Sequence, residues 1–389
     1  MNNLTLKQDI EQRIERLQKA MRAMNMDACI LSTEVNLFYC TGMVYSGYFY
    51  LPAEGKPINF VKRPQVDLDN TIYIHKPELI LEKLAERGLE APQNVLIEED
   101  VLSYSTIIRM KASLRIDNFN NASYLLRRLR SEKTDYEIEQ VRACARKHEE
   151  VYTQVKSLYR RGMTDIALQI EIERVMRQHG SMGIFRSYGE NMEIYMGSLL
   201  AGDNAGAASP FDYALGGAGV SPMLPLGASG QVIEEGQTIM VDMAGNYTPW
   251  MTDMTRVFSV GKTTDLAYKA HQTSIDIQNR LMDTSQIGTS CAEMYNTAME
   301  IVKERDLEPY FMGTEFQAKF IGHGVGLEIN EMPVMTPRSK EILTRQTVLA
   351  LEPKFVIPGV GAVGIENTFL VTDNGLEKIT QFEESIIEL

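Results

Sequence analysis

The chain has 389 residues, 44% of them hydrophobic, which is ample for two cores and makes two domains the natural expectation. Its formal net charge of −13 argues against a nucleic acid or an anionic membrane as partner. No apolar run reaches the roughly 20 residues of a membrane span, and the charged, amphipathic N-terminus has no apolar secretory segment. Cys29, Cys40, Cys144 and Cys291 show no CxxC spacing and are expected to be free, buried thiols in a reducing compartment. The expectation is a soluble, cytoplasmic protein.

Ile10, Ile14, Leu17 and Met21 recur at helical spacing and predict an amphipathic helix over 6–25. A short apolar strand starts at Asp27. Strands at Thr71–Ile74 and Asn94–Ile97 alternate with helical stretches at Pro77–Glu90 and Ser123–Leu129, an α/β pattern. The charged stretch from Arg130 marks a boundary, with one domain over 1–132 and a second over 133–389. Thr134 or Asp135 is placed to cap a long helix reaching about Arg160, and a second helix covers Asp165–His179. Strand-like segments follow at Gly197–Ala201, Thr238–Met243, Thr255–Val260, Val348–Phe355 and Asn367–Thr372, with helices near Asp265–Met282 and Cys291–Arg305. The architecture expected is a small α/β domain followed by a larger α+β domain.

Five residues of the second domain read as ligands for two adjacent divalent ions: Asp242, Asp253, His323, Glu352 and Glu366. Asp242 ends an apolar run and Asp253 lies eleven residues on, across the turn-rich Gly245-Asn-Tyr-Thr-Pro, so the two segments are expected to pair as a hairpin. Two aspartates at this spacing are weak evidence alone, since exposed ones are common. An Asp within a strand as apolar as Ile239–Met243 is harder to dismiss, because a buried charge must be paired or metal-bound. Glu352 and Glu366 also sit in apolar, strand-like runs. Glycines flank His323 and would let the backbone approach a ligand closely. A buried salt bridge explains one such acid; it explains four acids and a histidine poorly. The other histidines, His75, His148, His179 and His271, sit in no site motif and are expected to be solvated.

In order and context the five residues resemble the pita-bread metallopeptidase superfamily, which includes methionine aminopeptidase, aminopeptidase P, prolidase and creatinase. The matching segments are VDMAG…TDMTR, GHGVGLE, LEP and IEN. The segment from Arg13 through Asn36-Leu-Phe-Tyr-Cys-Thr-Gly is similar to the creatinase/prolidase N-terminal domain. The resemblance implies a small α/β domain followed by a C-terminal pita-bread domain. It also implies one ion on Asp253, His323, Glu352 and Glu366, and another on Asp242 with Asp253 and Glu366 bridging. Mn²⁺ is the first expectation, with Zn²⁺, Co²⁺ or Fe²⁺ as alternatives. Glu352 would accept the proton of a water attacking an amide carbonyl. A homodimer is implied as well.

The surroundings depart from that pattern. The peptidases carry a His in a Pro-His context where Phe211 follows Pro210, a second His where this chain has Asn330, and an Arg where it has Gly364. Asn330 can donate one hydrogen bond in the lost histidine's place. Gly364 removes a cation and is expected to open volume beside Glu366. The Gly/Pro-rich stretch 216–230 reads either as a loop shaping a substrate pocket or as a surface connection. Trp250 reads as a pocket wall or a packing residue, and Met240, Met243, Met251 and Met254 as core filler. The function expected first is a metal-dependent hydrolase of the Xaa-Pro aminopeptidase/dipeptidase type, acting on a short peptide or small amide. A C–N hydrolase or lyase for a small metabolite comes second, and a binding protein without catalysis third.

Overall fold

The computed structural model, which describes residues 5–117, 119–189 and 195–389, divides into two units, Met1–Arg130 and Ser131–Leu389. The first opens with the expected amphipathic helix α1 (Leu6–Ala23), started by a capping box between Thr5 and Gln8. There follow β1 (Ala28–Leu31), α2 (Glu34–Thr41), β2 (Ser46–Pro52), β3 (Ile58–Arg63), β4 (Thr71–Tyr73), α3 (Ile80–Ala85), β5 (Val95–Ile97), α4 (Tyr104–Leu114), β6 (Asn120–Asn121) and α5 (Ser123–Ser131). The strands form one mixed sheet in the order β4-β3-β2-β1-β5-β6. Its core joins Ala28, Ile30, Tyr50, Phe60 and Ile97 to Ile107, Met110 and Leu114 of α4.

Neither α2 nor α4 is among the elements expected from the sequence. The chain entering α2 is held from a distance, by the Glu98 carboxylate on the backbone N–H groups of Ser32 and Thr33 and on the Asn36 amide. No local capping pattern advertises that. The single helix expected over Pro77–Glu90 is a 3-10 turn, Pro77–Leu79, running into the shorter α3.

The second unit begins with α6 (Asp135–Leu158), whose first turn is closed by a capping box between Thr134 and Glu137, and continues with α7 (Asp165–Gln178). Then come β7 (Gly197–Ala201), β8 (Thr238–Gly245), β9 (Thr252–Ser259), α8 (Asp265–Thr284), α9 (Cys291–Glu304), β10 (Gly322–Gly324), β11 (Glu331–Val334), β12 (Val348–Leu351), β13 (Lys354–Ile357), β14 (Gly361–Gly364), β15 (Asn367–Thr372), β16 (Gly375–Lys378) and β17 (Ile387–Glu388). They build a five-stranded sheet β11-β10-β12-β15-β16, a four-stranded sheet β17-β9-β8-β7 and the ribbon β13-β14. One core packs α8 and α9 with Leu349, Phe355 and Phe369; a second packs α6 and α7 with Leu199, Val241 and Phe258. Val348–Phe355, expected as one strand, is two. Pro353 has no N–H to continue a ladder, and the chain leaves the five-stranded sheet after Leu351 to enter the ribbon at Lys354. All four cysteines are free and buried, and the methionines Met240, Met243, Met251 and Met254 are core residues.

Two histidines expected to be solvated are buried instead. His148 on α6 meets Thr252 Oγ1 at 3.1 Å through Nδ1, and His271 on α8 meets the Glu384 carbonyl at 2.6 Å and the Gly364 N–H at 3.1 Å. Both lie on the inner faces of helices that cover sheets, where helical periodicity places apolar residues and an imidazole goes unnoticed among them. Burial, helped by the Arg256 charge, pushes His148 down to about 3 and His271 to about 4. The unfolded chain therefore binds more protons below pH about 6.5, and stability must fall as pH drops from there towards each folded value. Each histidine contributes a slope of up to about 1.4 kcal/mol per pH unit. Urea unfolding between pH 7 and pH 4.5 is expected to show this loss, and His148→Gln to flatten it; an unaltered slope in that variant would contradict the assignment.

Candidate metal centre

β8 and β9 form the expected antiparallel hairpin, in which Asp242 lies opposite Thr255 and Ala244 opposite Asp253. Opposed residues share a face and so do residues two apart, so the carboxylates of Asp242 and Asp253 project from one side. Asp253 is buried and Asp242 half-buried. His323 sits mid-strand in β10, opposite Ala350 of β12. Leu351 pairs with Asn367 across β12 and β15, so Glu352 and Glu366 stand together where those strands end. The glycines beside His323 serve strand packing rather than ligand access. A Cβ on Gly322 would collide with the Ala350 carbonyl, and one on Gly324 with that of Met332.

At the centre of these acids is a side chain absent from the expected set. Lys354 is buried to 1% exposure, and its Nζ lies 2.6 Å from Glu352 Oε2, 2.9 Å from Asp242 Oδ2 and 3.1 Å from Glu366 Oε2. An ammonium has three donors, and each here has a carboxylate. The signal in the sequence is a lysine two residues after Glu352, inside Phe-Val-Ile apolar surroundings, where a cation needs anionic partners.

His323 Nε2 is 3.2 Å from Glu352 Oε1 and 3.9 Å from Asp253 Oδ2, while Nδ1 faces the Gly324 carbonyl at 3.0 Å and orients the ring. Thr255 Oγ1 donates to Glu366 Oε2 at 2.7 Å. Burial raises the Asp253 carboxyl well above its usual range, reinforced by the charges of Glu366, Asp242 and Glu352. Burial and Glu352 likewise lift Glu366 to about 8. Burial would raise Glu352 too, but Lys354 and His323 overcome it and hold that carboxyl at about 2. Burial alone would lower Lys354, and the charges of Asp242, Glu352 and Glu366 reverse the shift.

The centre is therefore short of positive charge. Asp253, His323 and Glu366 each offer a ligand atom, all within 4.8 Å of one another. Glu366 Oε1 is buried with no hydrogen-bond partner among the described residues. An orphaned carboxylate oxygen beside an imidazole and a second carboxylate suits one divalent transition-metal ion. The three oxygens that Asp242, Glu352 and Glu366 turn towards Lys354 are already engaged by its ammonium.

Asn330 is joined to backbone by two hydrogen bonds. Its Oδ1 accepts from the Tyr188 N–H at 2.7 Å and its Nδ2 donates to the Tyr188 carbonyl at 2.6 Å, tying down the backbone there. Trp250 is a packing residue, buried with its indole N–H on Glu137 Oε1 at 3.2 Å. Stretch 216–230 is pinned at its end by the Asp165 carboxylate on the N–H groups of Ser229 and Gly230, while Met223 at its tip is exposed. Tyr213, also absent from the expected set, has a buried hydroxyl with no partner among the described residues. Burial, then the charges of Asp242 and Asp253, raise its proton affinity.

Residues 139–373 match metallopeptidase family M24, and residues 13–131 match the creatinase/prolidase N-terminal domain. The Xaa-Pro dipeptidase of Pyrococcus furiosus is 25% identical over 97% of this chain and 100% of its own. The solved prolidase from Pyrococcus horikoshii superposes with a TM-score of 0.79 at 20% identity, covering 97% of this chain and 100% of that one. An X-Pro aminopeptidase from Thermotoga maritima gives 0.79 at 20% identity, covering 97% and 99%. At these identities the structures establish a shared fold, a small α/β domain followed by a mixed α/β pita-bread domain.

Gly364 does not open volume beside Glu366, contrary to expectation. It pairs with Lys354 across the β13-β14 ribbon at φ +123°, and a Cβ there would lie 2.6 Å from the Pro353 carbonyl and 3.0 Å from Lys354 Cα. Backbone fills the space, so no side chain fits. Gly364→Ala is expected to destabilise the protein by roughly 2–3 kcal/mol, read as a lowered urea midpoint at unchanged m-value; a midpoint equal to that of the parent protein would refute this account.

Proposed function

The chain belongs to metallopeptidase family M24, and from that premise we propose that it is a metal-dependent hydrolase cleaving an amide bond in a short peptide of the Xaa-Pro kind. The observation that carries the reading is the group of buried Asp253, half-buried His323 and buried Glu366, with ligand atoms within 4.8 Å and an orphaned Glu366 oxygen. Mn²⁺ is the ion proposed, with Zn²⁺, Co²⁺ or Fe²⁺ as alternatives; such an ion, when bound, acidifies water and polarises a carbonyl. One ion is sufficient for this reading. The second, on Asp242, was expected from the resemblance and is not required by it.

The chain's own residues supply the rest. Asp253, His323 Nε2 and Glu366 hold the cation, and Thr255 fixes the rotamer of Glu366. Glu352, anionic and aimed into the centre between His323 and Lys354, is positioned to take the proton of an attacking water. The Tyr213 hydroxyl is the proposed donor to the substrate oxygen that gains charge, in the stretch where the resembling peptidases carry a histidine. Asn330 acts through the backbone at Tyr188 that it holds. A homodimer, implied by the resemblance, belongs to the same proposal. No helix among the described residues is long and apolar enough to cross a membrane.

A second reading, a C–N hydrolase or lyase for a small metabolite, is favoured by one set of observations. Phe211 and Asn330 stand where the resembling peptidases carry substrate-contacting His residues, and Gly364 where they carry an Arg.

Metal-stripped protein reloaded with Mn²⁺ is expected to release the N-terminal residue from Xaa-Pro or Xaa-Pro-Xaa peptides. Asp253→Asn should lower kcat by about a thousandfold or more and Tyr213→Phe by roughly tenfold to a hundredfold. Inertness on every such peptide, in protein that binds the ion, would sink the peptidase reading in favour of the second one.

A further inference from the structure

We propose that Lys354 is a built-in replacement for one cation of the centre, so that the wild-type chain holds one divalent ion fewer than its acidic residues would otherwise accept. This rests on the metal-hydrolase reading above and specifies its cation count. Four acidic side chains, Asp242, Asp253, Glu352 and Glu366, converge there. Three give one oxygen each to Lys354 Nζ, at 2.6–3.1 Å. An ion bound to those same oxygens would sit about 2.0–2.2 Å from each, in the volume the ammonium fills. Asp253, His323 and Glu366 keep ligand atoms within 4.8 Å of one another, and Glu366 Oε1 has no partner among the described residues.

Lys354 cannot easily withdraw. Its backbone is tied on both sides: the carbonyl accepts from the Met312 N–H at 2.8 Å, and the residue pairs with Gly364 in the ribbon. The side chain is enclosed to 1% exposure, and its ammonium is held by three carboxylates. Pro353 separates Glu352 from Lys354 and breaks the strand, which turns both residues into the centre. Asp242, the residue expected to define the second ion's site, is here a lysine partner.

The test counts ions. Metal-stripped wild type, Lys354→Ala and Lys354→Arg are titrated with Mn²⁺, and bound metal per chain is measured by elemental analysis after desalting. Spin coupling between ions is read by electron paramagnetic resonance. The expected result is one uncoupled Mn²⁺ in wild type, a count unchanged in Lys354→Arg, and one additional ion, spin-coupled to the first, in Lys354→Ala. Two ions in wild type would overturn the proposal, even if Lys354→Ala fails to fold, and so would equal counts in wild type and Lys354→Ala. No ion in wild type but one in Lys354→Ala would support the lysine's role while sinking the metal-dependent reading of the parent enzyme, so the two failures are distinguishable.

Discussion

Three buried carboxylates and a half-buried fourth converge in the second domain, which is arranged to make that tolerable. Moving a single charge into a low-dielectric interior costs several kcal/mol after relaxation, and like charges side by side add to it. The β8-β9 hairpin presents Asp242 and Asp253 on one face, the ends of β12 and β15 present Glu352 and Glu366, and β10 adds His323. Nothing apolar can occupy their midst. The chain meets the requirement with an ammonium threaded in on its own strand, a threonine hydroxyl and an imidazole. The attraction of an ion pair near 3 Å is roughly 5 kcal/mol at an effective dielectric of 20, of the same order as the desolvation it has to offset.

The acidic set was legible because it breaks a rule: carboxylates embedded in apolar strands ask for a partner. The same logic applied to Lys354, between Pro353 and Phe355, would have found the cation, but reading for metal ligands favours acids and histidines over a base. The capping box at Thr134 and Glu137 and the hairpin around Gly245 could be read locally, since their determinants are a few residues apart. The entry to α2 could not, because Glu98 supplies it from a distant part of the chain. Strand breaking at Pro353 was available in principle; the apolar run on both sides masked it. Buried histidines such as His148 and His271 are invisible to composition, since only the fold reveals which helix face is inward.

The substrate side is written differently from the metal side. Asn330 is spent on backbone at Tyr188, Gly364 on close packing of the ribbon, and Trp250 on the Glu137 carboxylate. Each of these contacts is a structural duty. Tyr213 is the exception, a hydroxyl enclosed near the acids with no described partner. The family relationship therefore speaks to bond cleavage more strongly than to the identity of what is cleaved.

Glu352 and Lys354 are separated by one proline, so an acid of the centre and its counter-ion travel on a single tripeptide. The charge balance of the centre is in that sense a heritable cassette. Transplanting these three positions together, by recombination or by design, carries anion and cation as a unit, whereas a neutral residue at position 354 alone changes the charge of the whole site in one step.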